Sequence, residues 1–141
     1  MELLNLDRLP DSAWLLIDSA PIIYTLENHP QLAQRFEPVF DAHVAGRVRL
    51  AVTTITIAEV LTGPLKAGDE ALARRYRSVL ESWRVIALDA DIAETAARLR
   101  VAYRLKLPDA VQAASALAID AAALVTFDRD FSRVASLRIL S

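Results

Sequence analysis

Four acids, Asp18, Glu59, Asp109 and Asp128, stand at the edges of apolar runs, with Asp130 two residues beyond the last. Asp18 directly follows Leu15-Leu16-Ile17, and Asp128 follows Leu124-Val125-Thr126-Phe127. In an open α/β sheet, ligands sit outside the carboxyl ends of the strands, so an acid just after an apolar strand faces that crevice. Glu59 is the one acid between Leu50 and Leu61, and a carboxylate in such surroundings needs a partner or a metal. Asp109 follows Pro108 at the head of a run of small and apolar residues. Gln112, three positions on, is expected to hydrogen-bond its carboxylate. Converging carboxylates with no cysteine and no nearby histidine pair describe a site for a hard cation such as Mg²⁺ or Mn²⁺. The matching chemistry is phosphodiester hydrolysis.

Each acid also has a purely local explanation. Asp18 and Asp128 suit the N-cap of whatever helix follows. Thr56-Ile-Ala-Glu59 fits a capping box, in which Glu59 reaches back to a backbone N–H. Asp109 suits the first turn of a helix, where a carboxylate meets the positive end of the dipole. His29 precedes Pro30 in a loop and His43 lies on a helix; both read as surface residues. Arg98, Arg100, Arg104 and Lys106 lead towards Asp109, as an ion-paired solvent face or as a track for phosphates.

The elements that must position these acids alternate in type. Strands are expected at 14–17, 48–53, 85–88, 123–127 and 137–140. Helices are expected over 21–27, 31–46, 56–61, 69–82, 91–105 and 108–120, with Gly63-Pro64 ending the third. Strands alternating with helices imply βαβ units. The fold expected is therefore α/β, a single three-layer domain over 1–141 with a mostly parallel five-stranded sheet flanked by helices.

Composition narrows the class. Hydrophobic residues make up 54%, which excludes a disordered chain, and the absence of cysteine excludes disulfides and thiolate chemistry. No apolar run approaches the ~18 residues of a membrane span, and the first residues do not resemble a signal peptide, so no membrane association and a cytoplasmic location are expected. The net charge of −2 does not advertise a nucleic-acid partner. Of the 16 basic residues, however, only Lys66 and Lys106 are lysines. The arginines offer planar forks suited to phosphate, although a GC-rich genome gives the same bias.

Four segments together resemble the PIN-domain family, especially the VapC-type toxin ribonucleases. They are Leu16-Ile-Asp18-Ser19-Ala-Pro-Ile-Ile-Tyr24, Thr56-Ile-Ala-Glu59-Val-Leu-Thr-Gly63, Leu107-Pro-Asp109-Ala-Val-Gln112 and Val125-Thr126-Phe-Asp128-Arg-Asp130-Phe131, in family order and at family spacing. The resemblance implies a metal-dependent endoribonuclease of single-stranded RNA, a homodimer, and a cognate antitoxin protein that inserts a segment into the active site. It makes Asp18, Glu59, Asp109 and Asp128 the catalytic and metal-binding acids, with Asp130 auxiliary and Mg²⁺ (or Mn²⁺) the cofactor. Ser19 and Thr126 would orient the carboxylates. Two positions depart from the pattern: Ala20, where a polar residue is common, and Phe127, where Asn is common. Both bear on supporting hydrogen bonds more than on metal ligands.

Two other classes remain to be separated. A non-catalytic PIN-like module that binds RNA or protein would keep the fold without acid-dependent cleavage. A signalling receiver shares strand-end acids, but it needs a basic residue after a late strand, and the fourth strand here ends in Phe127-Asp128 with no lysine near it.

Overall fold

The run Trp14-Leu15-Leu16-Ile17 has no polar face, so a strand built from it must be covered on both sides. The computed structural model, which describes residues 4–141, places it at the centre of a parallel sheet. The strands are β1 (Ala13–Ile17), β2 (Val48–Thr53), β3 (Arg84–Ile86), β4 (Ala123–Val125) and β5 (Ile139–Leu140). Their spatial order is β3-β2-β1-β4-β5, every pair parallel, with Leu15 opposite both Leu50 and Ala123.

Alternation along the strands divides the core in two. Leu15, Ile17, Leu50, Val52, Ala123 and Val125 point to one face. There they meet α1 (Ser19–Leu26), α2 (Leu32–Val44), α3 (Thr54–Lys66) and α4 (Glu70–Glu81) through Ile22, Phe36, Val39, Val60 and Leu80. Leu16, Ala51 and Leu124 point to the other face, under α5 (Ala90–Tyr103) and α6 (Leu107–Ala118). Helices on both faces of one five-stranded sheet make the expected three layers. In α6 every residue from Ala110 to Ala116 is buried, and four of them are alanines, so this helix lies close against the sheet.

The chain leaves β1 towards β2 on one side, while β4 and β5 lie on the other. The order therefore reverses between β1 and β4, and their carboxyl ends open the crevice where such sheets hold ligands. Asp18 N–H donates to the Val125 carbonyl at 2.9 Å and ties the two ends together. A receiver has its first strand between the second and third, so this order removes that alternative.

The remaining differences from expectation have local causes. β3 stops at Ile86 and β4 at Val125, before Leu88 and Phe127, and β5 shortens to two residues. The third helix does not end at Gly63-Pro64 but runs to Lys66, stopped by Gly68 in the left-handed region at φ 74°. Gly68 N–H donates to the Leu65 carbonyl and Asp69 N–H to that of Pro64. A proline normally clashes with the Cβ of the helical residue before it, and Gly63 has none. Pro64 itself is buried.

This explanation makes a prediction. A Cβ at Gly63 meets nothing within 4 Å beyond its chain neighbours, and an exposed mid-helix Gly→Ala ordinarily gains about 1 kcal/mol. Gly63→Ala should deliver under half of that beside Pro64, and the full gain in a Pro64→Ala background. Urea unfolding of the four proteins measures the coupling; full gain in the single variant would show that Pro64 is not the constraint.

Candidate active site

Asp18 follows β1 and is the N-cap of α1, its Oδ1 accepting from Ser19 N–H at 2.9 Å. The same oxygen accepts from Gln112 Nε2 at 2.9 Å, and Oδ2 accepts from the Thr126 hydroxyl at 2.7 Å. Capping and facing the crevice are thus compatible. One carboxylate does both, because the helix begins at the sheet's switch point. Asp128 behaves alike: its Oδ1 accepts from Asp130 N–H at 2.8 Å and caps the short 3-10 helix Arg129–Arg133. Its own N–H donates to Thr126 Oγ1 at 3.0 Å. Thr126 is fully buried and joins the two acids.

Glu59 departs from its expected setting. Thr56 is not the cap of α3; Thr53 is, accepting from Thr56 N–H at 3.1 Å, so the capping box does not form. Glu59 lies a turn further on, exposed rather than enclosed by apolar groups, and accepts from the Ser19 hydroxyl at 2.8 Å. Ser19 thus holds Glu59 as expected of an orienting group.

Gln112 serves a different acid from the one its spacing suggests. The residue is 1% exposed, and its amide turns from Asp109 to Asp18. It also donates to Thr56 Oγ1 at 2.8 Å and accepts from the Thr53 hydroxyl at 2.6 Å. Thr53 and Thr56 complete this network; Thr56 was expected only as a helix cap, and Thr53 was not singled out. The signal was there in Thr53 at the end of a mostly apolar strand, where a buried hydroxyl needs a partner.

Asp109 occupies the first turn of α6, half-buried. Burial, followed by the negative charges of Asp128 and Asp18, raises its pKa from 3.8 to about 6; Asp130 adds to the rise and Lys106 opposes it. One carboxylate oxygen from each of Asp109, Asp128 and Asp130 falls within a sphere where all lie within 4.8 Å of one another. This donor set is all carboxylate oxygen, without imidazole or thiolate, and fits a hard cation such as Mg²⁺ or Mn²⁺. Asp18, Glu59, Asp109, Asp128 and Gln112 line one cleft of about 460 Å³. The structure therefore brings together every acid singled out from the sequence, with Asp130 beside Asp128.

The two departures from the family pattern also reach this cleft. Ala20 and Phe127 both line it. Phe127 packs edge-on to Phe36 at 4.8 Å between ring centroids and to Tyr24 at 5.5 Å, so the position supplies an apolar wall instead of an amide. The histidines stay out of the cleft lining but are not simply on the surface. His29 Nδ1 accepts from Leu32 N–H at 3.1 Å at the start of α2, and His43 is half-buried beside Trp83. Of the basic run before Asp109, Arg98 pairs with Glu94 at 3.8 Å on an exposed face, while Lys106 reaches the field of Asp109.

The chain belongs to the PIN domain family, whose family model matches residues 15–137. It is similar to a toxin–antitoxin complex from Klebsiella pneumoniae, at 28% identity and a TM-score of 0.71 over 90% of this chain and 96% of that one. VapBC2 from Rickettsia felis, solved bound to a DNA fragment from its promoter, has the same fold at 19% identity, with a TM-score of 0.72 over 91% and 99% of the two chains. So does VapC20 of Mycobacterium tuberculosis, a toxin that cleaves the sarcin-ricin loop, at 17% identity and a TM-score of 0.63 over 85% and 94%. No curated protein matches the sequence significantly. The VapC-type resemblance of the four motifs thus agrees with the company the fold keeps. No helix among the described residues is long and apolar enough to cross a membrane.

The crowding of acids has a measurable consequence. With its folded pKa raised to about 6, Asp109 holds a proton in the folded protein that it loses on unfolding between about pH 4 and pH 6. Its contribution to stability therefore falls as pH rises through that window. In EDTA, Asp109→Asn should unfold at a higher temperature than wild type above pH 6, and the gap should close near pH 4. A constant gap across that range would mean the carboxyl is not strained.

Proposed function

We propose that this chain, with 1–141 as one PIN-type unit, is a metal-dependent endoribonuclease that cleaves single-stranded RNA. It would act in the cytoplasm as the homodimeric toxin of a toxin–antitoxin pair. The observation that carries the reading is the convergence of Asp109, Asp128 and Asp130 beside Asp18 in one cleft at the sheet's switch point. The sarcin-ricin-loop cleavage by VapC20 and the toxin–antitoxin assemblies among the similar structures support the class of substrate and of partner.

Asp109 and Asp128, with Asp130 auxiliary beside them, would hold the ion, and Asp18 and Glu59 in the same cleft would hold it directly or through water. A bound Mg²⁺ or Mn²⁺ supplies Lewis-acid stabilisation of the charge that develops on a phosphodiester. Asp18 is the most firmly fixed of the acids, its two oxygens accepting three hydrogen bonds, so its orientation is set before substrate arrives. Ser19 turns Glu59 towards the cleft, and Phe127 closes one wall with apolar surface. An antitoxin would block such a site by laying a cation, best an arginine fork, against the carboxylates.

Two experiments test this. With a panel of single-stranded RNAs in Mg²⁺, Mn²⁺ or EDTA, Asp18→Asn, Asp109→Asn and Asp128→Asn should each lower cleavage by about a hundredfold, the order expected on losing a ligand or its support. Asp130→Asn should cost less. Undiminished cleavage by purified Asp18→Asn, or cleavage in EDTA, would end the metal-dependent mechanism, and no cleavage by wild type with either ion would leave the non-catalytic module as the better reading. In cells, expression of the chain alone should slow growth and co-expression of the antitoxin should restore it. Harmless expression without a partner would remove the toxin role while leaving the nuclease standing.

A further inference from the structure

RNA brings negative charge to a cleft already lined by carboxylates. A divalent ion offsets part of that repulsion, and the rest must come from protein cations close to the acids. Among the described residues one guanidinium makes direct contact with them. Arg133 Nη2 lies 3.1 Å from Asp130 Oδ1, across one turn of the 3-10 helix that Asp128 caps.

From this arrangement we infer that Arg133 is a phosphate-binding residue at the edge of the cleft and receives the RNA backbone beside Asp128 and Asp130. The inference rests on the RNA-cleaving reading and adds to it a residue that none of the four motifs includes.

Three features favour this role over simple stabilisation. The Arg133–Asp130 pair is exposed, with side chains at 49% and 46%, and a pair this wet contributes little to folding. The guanidinium is nevertheless held from two sides, because Nη1 also reaches the Tyr103 carbonyl at 3.4 Å at the end of α5. Holding it there leaves further N–H groups of the fork for a ligand, and a planar fork suits phosphate oxygens. The third feature is placement. Asp130 belongs to the converging acid set, so a phosphate that meets Arg133 lies next to any ion held by that set.

The competing role is positional, with Arg133 serving to aim Asp130 at the ion. The two roles give opposite signs for metal affinity. If Arg133 binds phosphate, Arg133→Ala removes a nearby cation and Mn²⁺ binding should stay the same or tighten. If Arg133 aims Asp130, Mn²⁺ binding should weaken.

The test uses the full chain and two readouts. Binding of a labelled single-stranded RNA is followed by anisotropy in an Asp18→Asn background, where cleavage is suppressed, over a series of salt concentrations. Adding Arg133→Ala should weaken binding about tenfold and flatten the dependence of log K on log salt by about 0.7, one phosphate contact on a single strand. Arg133→Lys should recover the slope and only part of the affinity. Mn²⁺ titration of the Arg133→Ala single variant, followed by calorimetry, should show no loss. Unchanged RNA affinity and slope in Arg133→Ala would overturn the inference alone, as would weakened Mn²⁺ binding. If the Asp18→Asn protein itself binds no RNA, the RNA-cleaving reading fails first and this one with it.

Discussion

The side-chain amide of Gln112 joins α6 to the ends of β1 and β2 and to the first turn of α3. It accepts from Thr53, donates to Thr56 and donates to Asp18, and it is shut away from water. A buried amide is costly unless its groups are matched, so the elements that supply the matches cannot drift independently. The bonds also share a direction. Thr56 N–H points to Thr53 Oγ1, the Thr53 hydroxyl to the Gln112 oxygen, and the Gln112 N–H to Asp18. Each donor in this chain is polarised by the one before it, and the last faces a carboxylate. The start of α3 thereby helps offset the charge of an acid on a different strand.

Against this neutral floor, the acids of the cleft divide by what compensates them. Asp18 is matched by three protein donors, Asp128 by a backbone N–H and Asp130 by a guanidinium. Asp109 lies among negative neighbours, and burial together with those charges pushes its carboxyl up towards neutral pH. A fold that crowds like charges in this way invites an ion. The same crowding gives an arginine from outside a reason to bind, so in the proposed function the demands of substrate, metal and inhibitor would meet on a single set of oxygens. Fold similarity to toxin–antitoxin assemblies at 28% identity or below fits this picture, but the chemistry belongs to the side chains, since fold alone does not fix function.

Much of the sheet and every acid of the cleft were legible in the sequence, Asp18 and Asp128 because a carboxylate just after an apolar strand has few places to go. Asp18 and Asp128 follow such strands, and the β1–β4 neighbourhood then brings them together. What was not legible depended on contacts between elements distant in sequence. Spacing assigned Gln112 to Asp109, three residues away on the same helix. Burial of α6 turned its amide across to Asp18, 94 residues away. Glu59 was expected to be enclosed because its sequence neighbours are apolar, but on a helix those neighbours face the sheet while Glu59 does not. Gly63-Pro64 looked like a terminator because each residue disfavours helix alone. Together they avoid the clash that makes proline a poor successor, and the actual terminator is Gly68.

The run of buried alanines in α6 acts as a shim. Ala110, Ala113, Ala114 and Ala116 let the helix axis lie close to the sheet, and that thickness of a methyl group sets how far Asp109 reaches over the ends of β1 and β4. Protein interiors are packed too tightly to absorb added methylenes without backbone shift. A larger residue at any of these alanines would lift the helix, and the geometry of the carboxylates would change before the fold was lost. The tolerance of the cleft is therefore set on the inner face of a helix that points no alanine into it. Substitutions most damaging to the site need not be polar, charged or near solvent; some would be a single carbon too long.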